Sequence, residues 1–269
     1  MHWWEIEIEK LKKDNINGAT YLTNRSINII KNMLIKKSPK DEVKKALLLL
    51  IDAKPEMASI YNFAKEIKNL DSYQKSIEFC IEFEKGLKFA NRKVVLNAVK
   101  IIKNYKTILT HSFSSLVFDA ILEAKEFGFK GEIICTESNP KKEGIELAKK
   151  LCKNGIKTTL IIDAAAAFFI KDAELFLVGA DGVGSFGLIH KVGTYPIAIA
   201  AKEHRVKVVS LAPTQKFWPK EFKDIKIKLN NPDEIAKGCF NIKNIYFDIT
   251  PLSYINMFVT QNGINQTYQ

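Results

Sequence analysis

The stretch GEIICTESNPKKEGIELAKKLCKNGIKTTLIID, residues 131–163, decides the fold. It opens on a β-branched apolar run, Gly131 to Thr136, crosses a polar turn, continues as an amphipathic segment from Lys142 to Asn154, and returns to a second such run, Thr158 to Ile162. A short strand, a helix of about ten or more residues and another short strand make a β-α-β unit, whose strands lie parallel. The same alternation covers everything after Lys103. Strands are predicted at Lys106 to Thr110, Leu175 to Gly179 and Val206 to Leu211, with helices at Ser114 to Phe127 and Tyr195 to His204. A sixth strand near Ile242 to Asp248 is expected to complete the sheet.

Upstream, from Trp3 to about Asn97, the period is helical. Ile27, Ile30, Met33 and Leu34 share one face, as do Val43, Ala46, Leu47 and Leu50. Breakers fall at Asn15 to Gly18, Lys37-Ser38-Pro39 and Lys54-Pro55, with Ser38 as a helix cap and Pro39 in the first turn. A long helix is expected from Leu70 to Tyr105. The chain therefore divides near residue 100 into a helical bundle, 1–100, and a parallel-sheet α/β domain, 101–269.

Hydrophobic residues make up 46% of the 269 and charged residues 26%, which excludes collagen-like, mucin-like and wholly disordered classes. The longest apolar runs, Ala164 to Ile170 and Ala46 to Ile51, fall far short of the roughly 20 residues of a membrane span and suit buried elements. Met1-His2-Trp3-Trp4-Glu5 is no secretory leader, so a cytoplasmic location and no membrane partner are expected. The net charge of +11 is carried almost entirely by Lys, the only arginines being Arg25, Arg92 and Arg205. Lysines spread along helices read as solvated faces, and direct nucleic-acid binding is not expected. Cys80, Cys135, Cys152 and Cys239 form no C-x-x-C pair and have no His at ligand spacing, so neither a metal nor a cofactor is expected. Cys135 and Cys152 read as buried thiols.

Ligands of a parallel sheet bind beyond the carboxyl ends of its strands. The first strand ends in His111 and Ser112, the second in Glu137, Ser138 and Asn139, the third in Asp163, the fourth in Asp181, and the fifth runs out to Lys216. Five successive strands ending in titratable or hydroxyl groups mark a site, although Glu137, Asp163 and Asp181 could equally cap the helices that follow. His190, Lys191 and Thr194 complete the candidate ligand-binding set. Lys191, one turn ahead of a helix start, could join backbone N–H groups in holding an anion, or be a solvated loop lysine. His111 and His190 could shuttle protons or be structural.

Gly182-Val183-Gly184-Ser185-Phe186-Gly187 matches G-x-G-x-x-G. It follows the fourth strand rather than the first, its helix starts only near Thr194, and Asp181 would repel phosphate, so dinucleotide binding is rejected.

Thr136-Glu137-Ser138-Asn139-Pro140 with Glu143-Gly144, Ile161-Ile162-Asp163-Ala164-Ala165-Ala166, Gly179-Ala180-Asp181 with Gly187, Lys191-Val192-Gly193-Thr194-Tyr195 and Phe247-Asp248-Ile249-Thr250-Pro251 occur here in the order they have in one superfamily. The chain resembles the alpha, beta and delta subunits of translation initiation factor 2B, their archaeal relatives, methylthioribose-1-phosphate isomerase and ribose-1,5-bisphosphate isomerase. Asn17-Gly18-Ala19 and Lys54-Pro55-Glu56-Met57 look like degenerate N-terminal motifs of that family. The resemblance implies an N-terminal helical bundle domain, a Rossmann-like C-terminal domain, and homodimers or higher oligomers formed chiefly through the latter.

Isomerases resembling this chain place a Cys after the Thr-His of the first strand and pair it with the Asp of Gly-Ala-Asp. Here Ser112 stands in the Cys position and Asp181 keeps the Asp position. A thiol titrates near 8.5, whereas an aliphatic hydroxyl does not titrate at neutral pH, so the substitution keeps the shape and removes the acid. Asn139 and Lys54 stand where the enzymes have Arg, and Phe186 and His190 where they have Asn. Loss of Arg weakens bidentate phosphate recognition. Thr110 to Ser115 and Thr136 to Pro140 instead look like the regulatory alpha subunit. The resemblance thus implies a regulatory or binding subunit with a vestigial pocket for a phosphorylated sugar or nucleotide phosphate, docking onto initiation factor 2. The alternative is an aldose-ketose isomerase of phosphorylated ribose, with Asp181 as base and another group, such as His111, in place of the thiol.

Overall fold

A computed structural model of the chain describes residues 1–15, 17–69 and 72–266. Five helices come first, α1 (Trp3–Lys13), α2 (Ala19–Ile35), α3 (Lys40–Ala53), α4 (Ala58–Lys68) and α5 (Tyr73–Ile102). The apolar stripes of α2 and α3 are buried throughout and close one core with Trp4, Ile8 and Leu11 of α1 and Phe63 of α4. Helix α3 starts one residue later than its sequence suggests, with Pro39 outside the first turn and no side-chain cap. Ser38 serves differently, its carbonyl accepting from the Tyr73 hydroxyl at 2.6 Å.

Helix α5 is capped by Ser72, whose Oγ accepts from Lys75 N. Leu70, where sequence starts this helix, lies outside the described residues, as does residue 16 in the first breaker. Cys80 of α5 joins the helical core, whereas Val94 to Ile102 join the core under the sheet. Residue 100 therefore falls inside a helix that both cores share.

The remaining elements are β1 (Thr107–Thr110), α6 (Ser115–Glu126), β2 (Glu132–Thr136), α7 (Glu143–Lys153), β3 (Lys157–Ile161), α8 (Ala166–Phe169), β4 (Leu175–Val178), β5 (Gly182–Gly184), β6 (Gly187–Lys191), α9 (Thr194–Glu203), β7 (Lys207–Leu211), β8 (Phe247–Thr250), β9 (Met257–Thr260) and β10 (Gly263–Asn265). The main sheet runs β10-β9-β7-β4-β1-β2-β3, parallel except for the β9–β10 hairpin. One face is covered by α6, α7 and the end of α5, and the other by α8 and α9. Strand order reverses between β1 and β4, where Ile108 aligns with Ile133 on one side and Leu175 on the other. A crevice opens at the carboxyl ends of strands at such a reversal.

Several expectations are corrected. The strand near Ile242 to Asp248 is β8, which pairs antiparallel with β6 in a separate sheet, β5-β6-β8. The sixth parallel strand is β9, a four-residue element that the sequence reading missed. The glycine-rich run is the β5–β6 hairpin, and α9 begins at Thr194, ten residues beyond Gly184, as the sequence reading had it. The two apolar runs are not buried throughout, because Leu48, Leu49 and Phe168 are exposed. Cys152 is also exposed, on the outer face of α7, while Cys135 is buried.

Candidate ligand-binding site

The crevice at the β1/β4 reversal is roofed by the helical half and forms a cavity. Ser112, Asp181, His190, Lys191 and Lys216 line it from the sheet side, joined by the start of α6 at Phe113 to Ser115. Asp14, Asn15, Asn17 to Thr20, Lys54, Glu56 and Met57 line it from the helical side, and Lys228, Asn230 and Tyr246 from a long connection after β7. The halves are tied together at this level. Ala58 N donates to the Asp181 carbonyl at 3.2 Å, Lys228 N to Glu56 at 2.9 Å, and Asn62 to the carbonyls of Gln215 and Phe217.

Ser112 has a left-handed backbone, φ 70°, which turns its side chain back toward α7. Its Oγ donates to Glu143 Oε1 at 2.9 Å, and the same oxygen pairs with Lys191 Nζ at 2.8 Å. Helix α7 packs onto β2 closely enough to place Glu143 there because Gly144 has no side chain; a Cβ would lie 1.9 Å from the Thr136 carbonyl.

His111 is a structural residue. Its Nε2 lies 2.8 Å from the Val192 carbonyl, which can only accept, so the proton is on Nε2 and Nδ1 accepts from Thr136 Oγ1 at 2.6 Å. Thr136 in turn accepts from Ser138 Oγ, which accepts from Ser112 N at 2.8 Å. Burial pushes the His111 pKa down to about 4, which leaves the ring neutral at pH 7 and gives the chain this direction. Both ring nitrogens of His111 are engaged, and the residue does not line the cavity.

The start of α9 does not offer the anion site that the position of Lys191 suggested. Asp248 Oδ2 accepts from the N–H groups of Gly193 (2.8 Å) and Tyr195 (3.1 Å), so the helix terminus holds a carboxylate of the chain itself. Burial raises the Asp248 pKa to about 6 against the pull of those two hydrogen bonds. Lys191 is buried against Glu143 and is not a solvated lysine either. The starts of α6, at Ser114 and Ser115, and of α7, at Glu143, do face the cavity.

Asp181 and His190 form a buried pair, 8% and 4% exposed, with His190 Nδ1 3.2 Å from Asp181 Oδ2. His190 Nε2 has no hydrogen-bond partner among the described residues. Beside them, buried Lys216 donates to the Ala180 carbonyl at 2.7 Å. Burial lowers its pKa, with the charge of Asp181 opposing. Lys54 donates to the Asp14 carbonyl and Asn15 Oδ1, and burial lowers its pKa to about 8.

The other predicted residues brace the site without lining it. Asp163 accepts from Ser138 N and Asn139 N, tying the loops after β2 and β3. Thr194 Oγ1 donates to the Lys191 carbonyl, and Asn139 donates to Glu137 on the surface. Sequence reasoning named Glu143 and Glu56 only as motif residues, not as ligand-binding ones, and passed over Asp14, Lys228 and Tyr246. Glu143 had a signal, an acid in the first turn of a helix whose N-terminus points at the crevice; the rest come from segments far from the strand ends.

The sequence profile of the Initiation factor 2 subunit family matches residues 16–267. The chain belongs to that family. Within it, similarity divides between two kinds of relative. The translation initiation factor eIF-2B subunit 2-like protein of Pyrococcus horikoshii is 31% identical over 96% of this chain and 94% of its own. The ribose 1,5-bisphosphate isomerase of Archaeoglobus fulgidus is 32% identical over 95% and 87%. The crystal structure of the P. horikoshii OT3 translation initiation factor eIF-2B superposes with a TM-score of 0.92 at 28% identity, covering 99% of this chain and 98% of that one. The Initiation factor 2 subunit family accounts for the helical half followed by a mainly parallel sheet. No helix among the described residues is long and apolar enough to cross a membrane.

Proposed function

We propose that this chain is a ligand-responsive binding subunit of the initiation factor 2B alpha-like kind, whose cavity holds a small phosphorylated ribose or nucleotide phosphate and whose surface docks onto initiation factor 2. One observation carries the reading. The position that resembles the isomerase thiol holds Ser112, whose hydroxyl is spent on Glu143, itself paired with Lys191. A hydroxyl locked to an ion pair can shape a pocket but does not exchange protons at neutral pH. The α6 terminus and the lysines of the wall, set among the carboxylates of Asp14, Glu56, Glu143 and Asp181, suit a ligand that carries both anionic and hydroxyl groups. Exposed Leu160, Ile162 and Phe168 beside edge strand β3 offer an apolar surface for a second copy of the chain, consistent with a cytoplasmic homodimer.

The test is thermal unfolding with ribose 1,5-bisphosphate, ribose 5-phosphate and AMP, followed by titration of purified initiation factor 2. A ligand at about 100 times its Kd adds about 2.7 kcal/mol of stability. No stabilisation by any of the three at millimolar concentration would remove the ligand-responsive reading. A second reading, an isomerase of phosphorylated ribose, is favoured by the Asp181–His190 pair.

A further inference from the structure

We infer that the Lys54 amine captures the open-chain aldehyde of a phosphorylated sugar as a reversible imine. This rests on the reading that the cavity holds a phosphorylated ribose, and it asks for no turnover of the ligand.

The buried lysines of the wall show the contrast. Lys191 is 4% exposed and gives its charge to Glu143 at 2.8 Å. Lys54 is 7% exposed and lines the same cavity, but its Nζ meets only neutral oxygens, the Asp14 carbonyl at 2.6 Å and Asn15 Oδ1 at 3.0 Å. Among the described residues no ion pair holds it. An enclosed ammonium without a counter-ion is unfavourable, and loss of one proton relieves it while leaving two N–H groups for the two acceptors. The lone pair is then left for a ligand. Burial lowers the Lys54 pKa to about 8, with Asp14 opposing and the charge of Lys228 assisting. About a tenth of it is then free amine at pH 7, against fewer than roughly one in a thousand of the exposed lysines.

Lys216 is also enclosed, at the Ala180 carbonyl. Lys54 is the lysine that holds the connection between α1 and α2, and Gly18 of that connection lies against the start of α6, where a Cβ would sit 3.8 Å from the Phe113 carbonyl. A phosphate at the α6 terminus therefore leaves the rest of the sugar on the Lys54 side of the cavity. The capability comes with this chain's departure from the isomerase pattern, since a guanidinium at position 54 would stay protonated and offer no nucleophile.

The step balances without a further reactant. The Nζ lone pair attacks the aldehyde carbon, the carbonyl π pair moves onto oxygen, and one N–H proton passes to that oxygen to give the carbinolamine. The second N–H proton leaves with the hydroxyl as water, and the nitrogen electrons close the C=N bond. Hydrolysis reverses both stages, so capture is an equilibrium that returns the sugar unchanged.

The test is cyanoborohydride trapping of the intact protein with ribose 5-phosphate, read by intact mass and peptide mapping, alongside thermal unfolding. Ribose, which lacks the phosphate, and ribitol 5-phosphate, which lacks the carbonyl, are the controls. The expected result is an adduct on Lys54 that forms at least about 10-fold faster than on any exposed lysine, and faster than with ribose by a similar factor. Ribitol 5-phosphate should suppress it. Lys54→Arg should lose this fast fraction from the intact mass and keep the slow labelling of surface lysines; should that variant fail to fold, the peptide map of the parent decides. Labelling spread over surface lysines or centred on Lys216 overturns the inference, as does fast, suppressible labelling that survives in folded Lys54→Arg. Stabilisation by ribose 5-phosphate and ribitol 5-phosphate with Lys54 unlabelled also overturns it, and leaves the binding reading standing. Absence of both stabilisation and selective labelling removes the two together.

Discussion

The backbone N–H of Gly193 donates to Asp248 Oδ2 over 2.8 Å, so the amino terminus of α9 holds a carboxylate of the chain itself. Gly193 itself sits at φ 109°, and a Cβ there would come within 2.9 Å of His111 Nε2. The glycine, the aspartate and the histidine thus form one bracket between β8, the start of α9 and the end of β1.

The bracket has a pH signature. Asp248 titrates near 3.9 when unfolded and about 6 when folded, so between those values the folded state binds more protons. Its contribution to stability is present at low pH and is lost as pH rises from about 4 to 6, by about 3 kcal/mol at most. His111 acts oppositely. Its folded pKa of about 4 lies below the unfolded value near 6.5, so its contribution is present above 6.5 and is lost as pH falls toward 4. Denaturant titrations from pH 4 to 7 should show Asp248→Asn losing stability relative to the parent as pH falls. A difference that does not change with pH would dismiss the buried carboxylate as its cause.

Lys191→Met should cost about 3 kcal/mol in urea unfolding, because it leaves the largely enclosed Glu143 with only the Ser112 hydroxyl for company. Adding Glu143→Gln should recover part of the loss, since the orphaned charge then disappears. A cost under about 1 kcal/mol would mean that the pair behaves as an exposed one.

Thiol labelling of the native protein should modify Cys152 and Cys239 and spare Cys80 and Cys135, which are buried and whose pKa values burial raises to about 12. All four should react in guanidinium. Native labelling of Cys135 on the same timescale would reveal opening of the sheet.

The strand ends were readable because a parallel sheet sends its polar groups to one edge whatever the tertiary detail, and Ser112, Asp181, Lys191 and Lys216 do meet there. Roles at that edge were not readable. His111 and His190 each follow or end an apolar run, and only the positions of Val192, Thr136 and Asp181 tell the braced ring from the one left with a free nitrogen. Strand β9 was missed because four residues carry too little period to declare themselves, and β8 was misassigned because an apolar run does not say which sheet it joins.

Local alternation of β-branched and amphipathic segments was enough, by itself, to determine the helical N-terminal region, the parallel sheet and the edge at which Ser112, Asp181, Lys191 and Lys216 meet, since these follow from backbone propensity and the burial of apolar faces. Which acid caps a helix, which lysine is buried and which histidine keeps a lone pair were decided only by the tertiary structure. Those outcomes depend on contacts a few ångströms long between residues many tens of positions apart, such as Asp248 on Gly193 and Glu143 between Ser112 and Lys191.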